Sequence, residues 1–199
     1  MTPESPGRTG APAVVALCIA LSAAAAVAER AMGRTWLGTD GRFGLWEGNV
    51  WSSEQSQRLA DPYSFTHVVH GLLFYALLWL SWRRLPVRYR LVVAVGLEAA
   101  WEVLENSPIV IDRYRAVTIA LGYTGDSILN SMSDVLMMAI GFLLAWRLRP
   151  RVSVAAVVLI ELGLLFWVRD NLTLNVLMLV HPIEAIKVWQ SAANGLLPP

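Results

Sequence analysis

The chain alternates between apolar blocks and short polar interruptions on a scale set by bilayers. Predominantly apolar runs occupy about 12–28, 65–82, 88–106, 126–146 and 152–168, the third carrying Arg88, Arg90, Glu98, Glu102 and Glu105. Each approaches the ~20 residues that a helix needs to cross a hydrocarbon core. Within that core the backbone must bond to itself, so the runs are predicted to be helices. The fold class expected is all-α, a polytopic transmembrane bundle of about five spans. The stretch 170–190, DNLTLNVLMLVHPIEAIKVWQ, has the length of a sixth span, but His181, Pro182, Glu184 and Lys187 occupy its second half. That pattern fits an interfacial or re-entrant helix better.

The polar segments complete the plan. Residues 1–11 read as a disordered cytoplasmic tail, and 12–199 as one transmembrane domain. Residues 29–64 are glycine-rich and carry Trp36, Trp46 and Trp51. Trp favours the membrane–water boundary, so this extracytoplasmic loop is expected to lie along the outer surface. Residues 107–125 read as a second outer loop. The first apolar run ends in Ala-Val-Ala before Glu29, which also suits a cleaved signal peptide. Its positive flank is only Arg8, which favours a retained helix. There is no internal repeat.

Composition supports this class: 56% of residues are hydrophobic, 16% are charged, and mean hydropathy is +0.51. A soluble domain carries about 25% charged residues. The net charge of +1 provides no field for nucleic acid. Arg83, Arg84, Arg88 and Arg90 crowd one short segment, and Arg147, Arg149 and Arg151 another. Arginine-rich short loops stay cytoplasmic, which places the N-terminus inside. Cys18, the only cysteine, excludes an intrachain disulfide and reads as a packing residue.

The expensive residues are the intramembrane acids. At about 1.5 Å per residue, Glu98, Asp134 and Glu161 fall at one depth, ~10–12 Å below the outer helix ends, with His70 slightly shallower. Nearer the mouth, Glu102 and Glu105 follow Glu98 at i+4 and i+7, on one helix face. Asp126, Asn130 and Asp134 form a second stripe beside Ser133, and His67 and His70 a third. Arg113, Tyr114 and Arg115 hang over the outer loop, and His181 could join from the tail. Ionisable residues at this depth cost several kcal/mol unless they face the bundle interior, and they mark function by default.

An outward-facing polar cavity lined by the middle helices is therefore expected. Its candidate catalytic residues are Glu102, Glu105, Asp126 and Asp134, because crowded carboxylates suit proton transfer. Arg113, Tyr114, Arg115, Asn130 and Glu98 are candidates for substrate binding, the arginines as a bidentate grip on a small anionic or lipid-linked ligand. His67 and His70 have the donor types for a divalent metal, although no metal motif is matched. Each has a plainer reading. Glu102 or Glu105 could pair with Arg113 or Arg115 as a clamp, and Asp126 could cap the fourth span. Asn130 and Ser133 could bond helices together, and Glu161 could be a neutral, hydrogen-bonded carboxyl. Ser127, in Gly125-Asp126-Ser127, follows no strand and is discounted as a nucleophile. Gly71, Gly96 and Gly141 read as helix-contact residues.

The segments DPYSFTHVVHGLLFY, EAAWEVLENSPIVIDRYR, GYTGDSILNSMSDVLMM and RDNLTLNVLMLVHPIEAIKVWQ resemble uncharacterised protein family 0314, also described as domain of unknown function 2585. The likeness covers roughly 40–190 and implies a multipass protein of the bacterial inner (plasma) membrane. It implies no reaction. A looser similarity is to VanZ-like membrane proteins, through the order His67/His70, Glu98/Glu102/Glu105, Arg113/Arg115, Asp126/Asn130/Asp134; this is analogy only.

Three functions suit such a cavity. One is an enzyme acting on a lipid or lipid-linked head group. Another is an accessory or assembly protein whose polar cluster locks its helices. The last is a small proton-coupled binding or transport protein; a homodimer would then supply the half that an internal repeat usually provides.

Overall fold

In the computed structural model, residues 10–118 and 122–192 are described; the expected tail lies almost wholly outside them. They form eight helices: α1 (Ala11–Ala31), α2 (Ser64–Ser81), α3 (Val87–Glu105), α4 (Pro108–Val117), α5 (Ile128–Arg147), α6 (Pro150–Val168), α7 (Leu172–Val180) and α8 (Glu184–Ser191). Four of these, α1, α2, α5 and α6, are long and apolar enough to cross a membrane. The third expected span, α3, has 19 residues but carries the glutamates and arginines, and it packs against α1, α2 and α5.

Proline and small capping residues set the boundaries. Pro108 and Pro150 stand at the first position of α4 and α6, where a missing N–H costs nothing. Asp61 starts the approach to α2: its carboxylate accepts from the Tyr63 and Ser64 N–H groups at 2.7 and 3.3 Å, and Ser64 Oγ accepts from the Asp61 N–H. At α5 the cap is Ser127, which accepts from the Asn130 N–H at 3.2 Å. Asp126, expected there, points elsewhere.

Two predicted segments differ. The outer loop 107–125 contains α4, whose apolar Ile111 and Val117 are buried. The stretch 170–190 is two short helices rather than one. Residue 181 precedes Pro182, which disfavours the helical region, and His181 adopts φ −139°, ψ 86°. Glu161, expected in the deep acid layer, holds the start of α7 instead. Its carboxylate accepts from the Leu172 and Thr173 N–H groups at 3.1 and 3.0 Å and from Thr173 Oγ1 at 2.6 Å. A helix N-terminus is a ready anion site, so a lone acid on an apolar helix finds its partner there.

The centre of the bundle is the α2–α5 crossing, with α3 beside it, α1 against α3, and α6 against α2. Gly71 and Gly141 make the crossing possible. A Cβ on Gly71 would overlap the Met138 carbonyl oxygen, and one on Gly141 the Val68 carbonyl oxygen. Gly96, expected to serve likewise, has ordinary room against Leu21 at 3.7 Å. Around the crossing, Leu78, Ala94, Val95, Val135, Met138 and Phe142 form the apolar core. Large apolar side chains such as Ile19, Leu159 and Phe166 (82% exposed) face outward on α1 and α6, as lipid contact demands.

The segment between α1 and α2 lies across one end of the bundle. The carbonyls of Ser56, Thr35 and Trp36 accept from the Ser127, Ile128 and Leu129 N–H groups. Together with the Ser127 hydroxyl they satisfy the first turn of α5, whose donors have no partner inside the helix. Asn130 Nδ2 donates to the Arg58 carbonyl at 2.9 Å, and Trp46 stacks on Trp167 of α6.

Candidate functional site

At this covered end, the first turns of α2 and α5 and the last turns of α3 enclose a cavity of about 380 Å³, with α4 and α7 as its outer wall. Its lining is mixed: polar residues include Asp61, His67, His70, Glu98, Glu105, Asp126 and Asp134, and apolar ones Phe74, Leu97, Trp101, Val176 and Leu179. Leu97 is 45% exposed on the outer face of the bundle, so the apolar lining reaches the surface there. No lysine or arginine is among the described lining residues.

His67 organises the floor. Its Nδ1 is hydrogen-bonded to Glu98 Oε1 at 2.6 Å, and its Nε2 lies 3.8 Å from Asp134 Oδ2. His70 Nδ1 also meets Glu98, at 2.9 and 3.1 Å. The i, i+3 spacing on α2 places both rings on one face, and they meet edge to face at 5.1 Å. A carboxylate behind an imidazole fixes the ring and its tautomer. Nε2 is left on the Asp134 side. Glu98 and Glu102 are fully buried and Asp134 is 4% exposed.

A second polar group sits beside the first. Asp126 accepts from Tyr123 Oη at 2.9 Å and from Asn106 Nδ2 at 3.0 Å, while its own N–H donates to Asn106 Oδ1 at 2.7 Å. Burial pushes the Asp126 carboxyl up to about 6, against the lowering effect of the Tyr123 and Asn106 hydrogen bonds. Asp170, just beyond α6, is likewise pushed up to about 6 by burial, although Tyr63 Oη donates to it at 2.9 Å.

The structure thus gathers His67, His70, Glu98, Glu105, Asp126, Asn130, Asp134 and Tyr114 around one cavity, with Glu102 buried against His67 at 3.5 Å. Tyr114 Oη donates to Asn175 Oδ1 at 2.9 Å. The arginines are not brought in. Arg113 donates to the Leu179 carbonyl from Nε and Nη2 at 3.0 and 2.9 Å, and Arg115 donates to the Tyr123 carbonyl and lies 3.6 Å from Asp112. They fasten α4 to α7 and to the loop before α5, and neither clamps Glu102 or Glu105. His181 is exposed at the end of α7. Ser127 is fully buried, capping α5.

Sequence reasoning passed over Asp61, Tyr63, Trp101, Asn106, Tyr123, Asp170 and Asn175. Asp61 had a usable signal, the cap-like D-P-x-S before an apolar run. Asn106 had none. It is fully buried and ties α3 to α5 through the Glu102 carbonyl, Asp126 and Ser131 Oγ.

The family model described as protein of unknown function (DUF2585) matches residues 30–192. The UPF0314 protein of Sphingopyxis alaskensis is 51% identical over 179 residues, covering 89% of this chain and 93% of that one. The UPF0314 protein of Rhizobium meliloti is 51% identical over 174 residues, covering 87% and 88%. That of Paracoccus denitrificans is 52% identical over 161 residues, covering 81% and 83%. No solved structure matches the chain. With identity near one half across four fifths or more of each partner, this all-helical chain belongs to the UPF0314 (DUF2585) family.

Proposed function

We propose that the chain is a multipass protein of the bacterial plasma membrane that acts as an enzyme on the head group of a lipid or lipid-linked molecule at the outer leaflet. The observation that carries this reading is the mixed lining of the cavity: Phe74, Leu97 and Val176, with Leu97 reaching the surface, line the same space as buried acids and histidines. An amphiphile suits such a lining. His67, oriented by Glu98 and with Asp134 beside Nε2, has the arrangement of a general acid–base. Helical spans suit the plasma membrane, since spans in the outer membrane are barrel strands.

The proposed orientation rests on the two short arginine-dense connections. Arg83, Arg84, Arg147, Arg149 and Arg151 lie at the helix ends opposite the cavity, which supports a cavity outside and an N-terminus in the cytoplasm. In a Cys18→Ser background, Asn49→Cys should react with an impermeant thiol reagent on intact cells with a permeabilised outer membrane, and Arg84→Cys should not. The opposite labelling pattern would invert the topology.

The activity is tested on membrane lipids. Cells lacking the protein should accumulate a lipid-linked species, and the wild-type gene should clear it. His67→Gln and Asp134→Asn, produced at normal levels and folded, should clear it at least ~100-fold more slowly, the usual scale for losing a general acid–base. Normal clearance by both folded variants would remove the enzyme reading. It would favour an accessory protein, a role supported by the bonds from His67 and His70 to Glu98 that tie α2 to α3.

A further inference from the structure

The carboxylates of Glu102, Glu105 and Asp126 each bring one oxygen within 4.8 Å of the others. Glu102 is fully buried and neither of its oxygens has a hydrogen bond. The nearest basic atom, His67 Nδ1 at 3.5 Å, is already engaged with Glu98 at 2.6 Å. An ionised carboxylate buried without a partner costs several kcal/mol. A glutamine or leucine would fill the same space more cheaply: protonated, the carboxyl has no acceptor for its O–H, and ionised, it lacks an opposite charge. The cations expected to provide it, Arg113 and Arg115, are bonded to the Leu179 and Tyr123 carbonyls instead.

The surroundings are those of a ligand set. Asp126 accepts from Tyr123 Oη on Oδ1 and from Asn106 Nδ2 on Oδ2, and the Ser56 hydroxyl also bonds to it. These outer partners fix its orientation, as they usually do for metal ligands, and the carboxylate's four lone pairs leave one for an ion. Glu102 and Glu105 share one face of α3. Donors on one octahedral ion lie about 3.0–4.2 Å apart for Mg²⁺ and about 3.4–4.8 Å apart for Ca²⁺, so three oxygens all within 4.8 Å of one another are near enough to share one. We propose that Glu102, Glu105 and Asp126 bind one hard divalent cation of the Mg²⁺, Mn²⁺ or Ca²⁺ class, through oxygen alone. Hard ions prefer carboxylates to imidazole, so the site is distinct from the His67–His70–Glu98 group, which is internally hydrogen-bonded. The site goes beyond the enzymatic reading and stands without it, because the ion would join α3 to the start of α5 even in a protein with no chemistry.

The test uses the full chain in detergent, stripped with a chelator and titrated separately with Mn²⁺, Mg²⁺ and Ca²⁺. About one Mn²⁺ per chain should be retained, and at least one of the three ions should raise the melting temperature. Electron–nuclear resonance of bound Mn²⁺ should show no nitrogen coupling. Glu102→Gln and Asp126→Asn should each weaken Mn²⁺ at least ~10-fold, the scale expected for a disturbed ligand sphere, whereas His70→Gln should change it less than ~3-fold. Without metal, Glu102→Gln should melt at or above the wild type, since it removes a buried carboxyl that has no partner; this shows that the loss of Mn²⁺ is not a loss of fold. Any of three results overturns the site: no effect of all three ions, an undiminished effect in folded Glu102→Gln, or nitrogen coupling to the bound ion.

Discussion

Gly141→Val should leave almost no folded protein, and Gly141→Ala or Gly71→Ala should each lower stability by about 3 kcal/mol, the upper end of the range for overpacking. At both glycines the added Cβ meets a backbone carbonyl of the facing helix, Met138 for Gly71 and Val68 for Gly141. A side chain could rotate away, but a carbonyl held in a helix cannot. The helices would have to part, and everything registered by their crossing, including the His67–Asp134 approach, would shift. The control reverses the sign. Gly96 has only Leu21 Cδ1 at 3.7 Å, and Gly163 has nothing within 4 Å, so Gly96→Ala and Gly163→Ala should stabilise by ~0.5–1 kcal/mol through helix propensity. Chemical unfolding in a mild detergent reads all four. Equal effects at 141 and 163 would refute the close crossing.

His67→Ala should be the most damaging change within the site, costing about 3–5 kcal/mol, as expected when one member of a buried charged cluster is removed. His67 lies 2.6 Å from Glu98, 3.5 Å from Glu102 and 3.8 Å from Asp134, so its loss strips three buried carboxylates of their nearest basic group. The evidence for that cause lies in the double variant. His67→Ala with Glu98→Gln should be less destabilised than the sum of the two single changes by ~1–3 kcal/mol, a coupling typical of residues in one network. Simple additivity would mean that His67 contributes packing volume alone. Glu98→Gln by itself should cost less than His67→Ala, because an amide still accepts from a histidine.

Which residues meet was legible only where helical periodicity governs. Glu98, Glu102 and Glu105 had to share a face, as did Asp126, Asn130 and Asp134, and both stripes do reach the cavity or its wall. Glu161 had the depth but the wrong azimuth: α6 touches the bundle mainly through α2, and its acid turns to the first N–H groups of α7. Arg113 and Arg115 were near the acids in sequence but sit on α4, a helix that the polar composition of 107–125 concealed. Asn106 carried no periodic signal, and its importance arises entirely from what α5 places against it.

The sequence by itself determined the class, the positions of the long helices and the ends at which charge gathers, because hydrophobic transfer and backbone bonding act locally along a chain in contact with lipid. It also determined the acid stripes, because 3.6 residues per turn allow no other alignment. Only the tertiary structure decided how those stripes face one another, since azimuth depends on which helices cross and how closely. Two glycines set that crossing, and through it His67 comes between three carboxylates while Glu102 is left buried without a hydrogen bond.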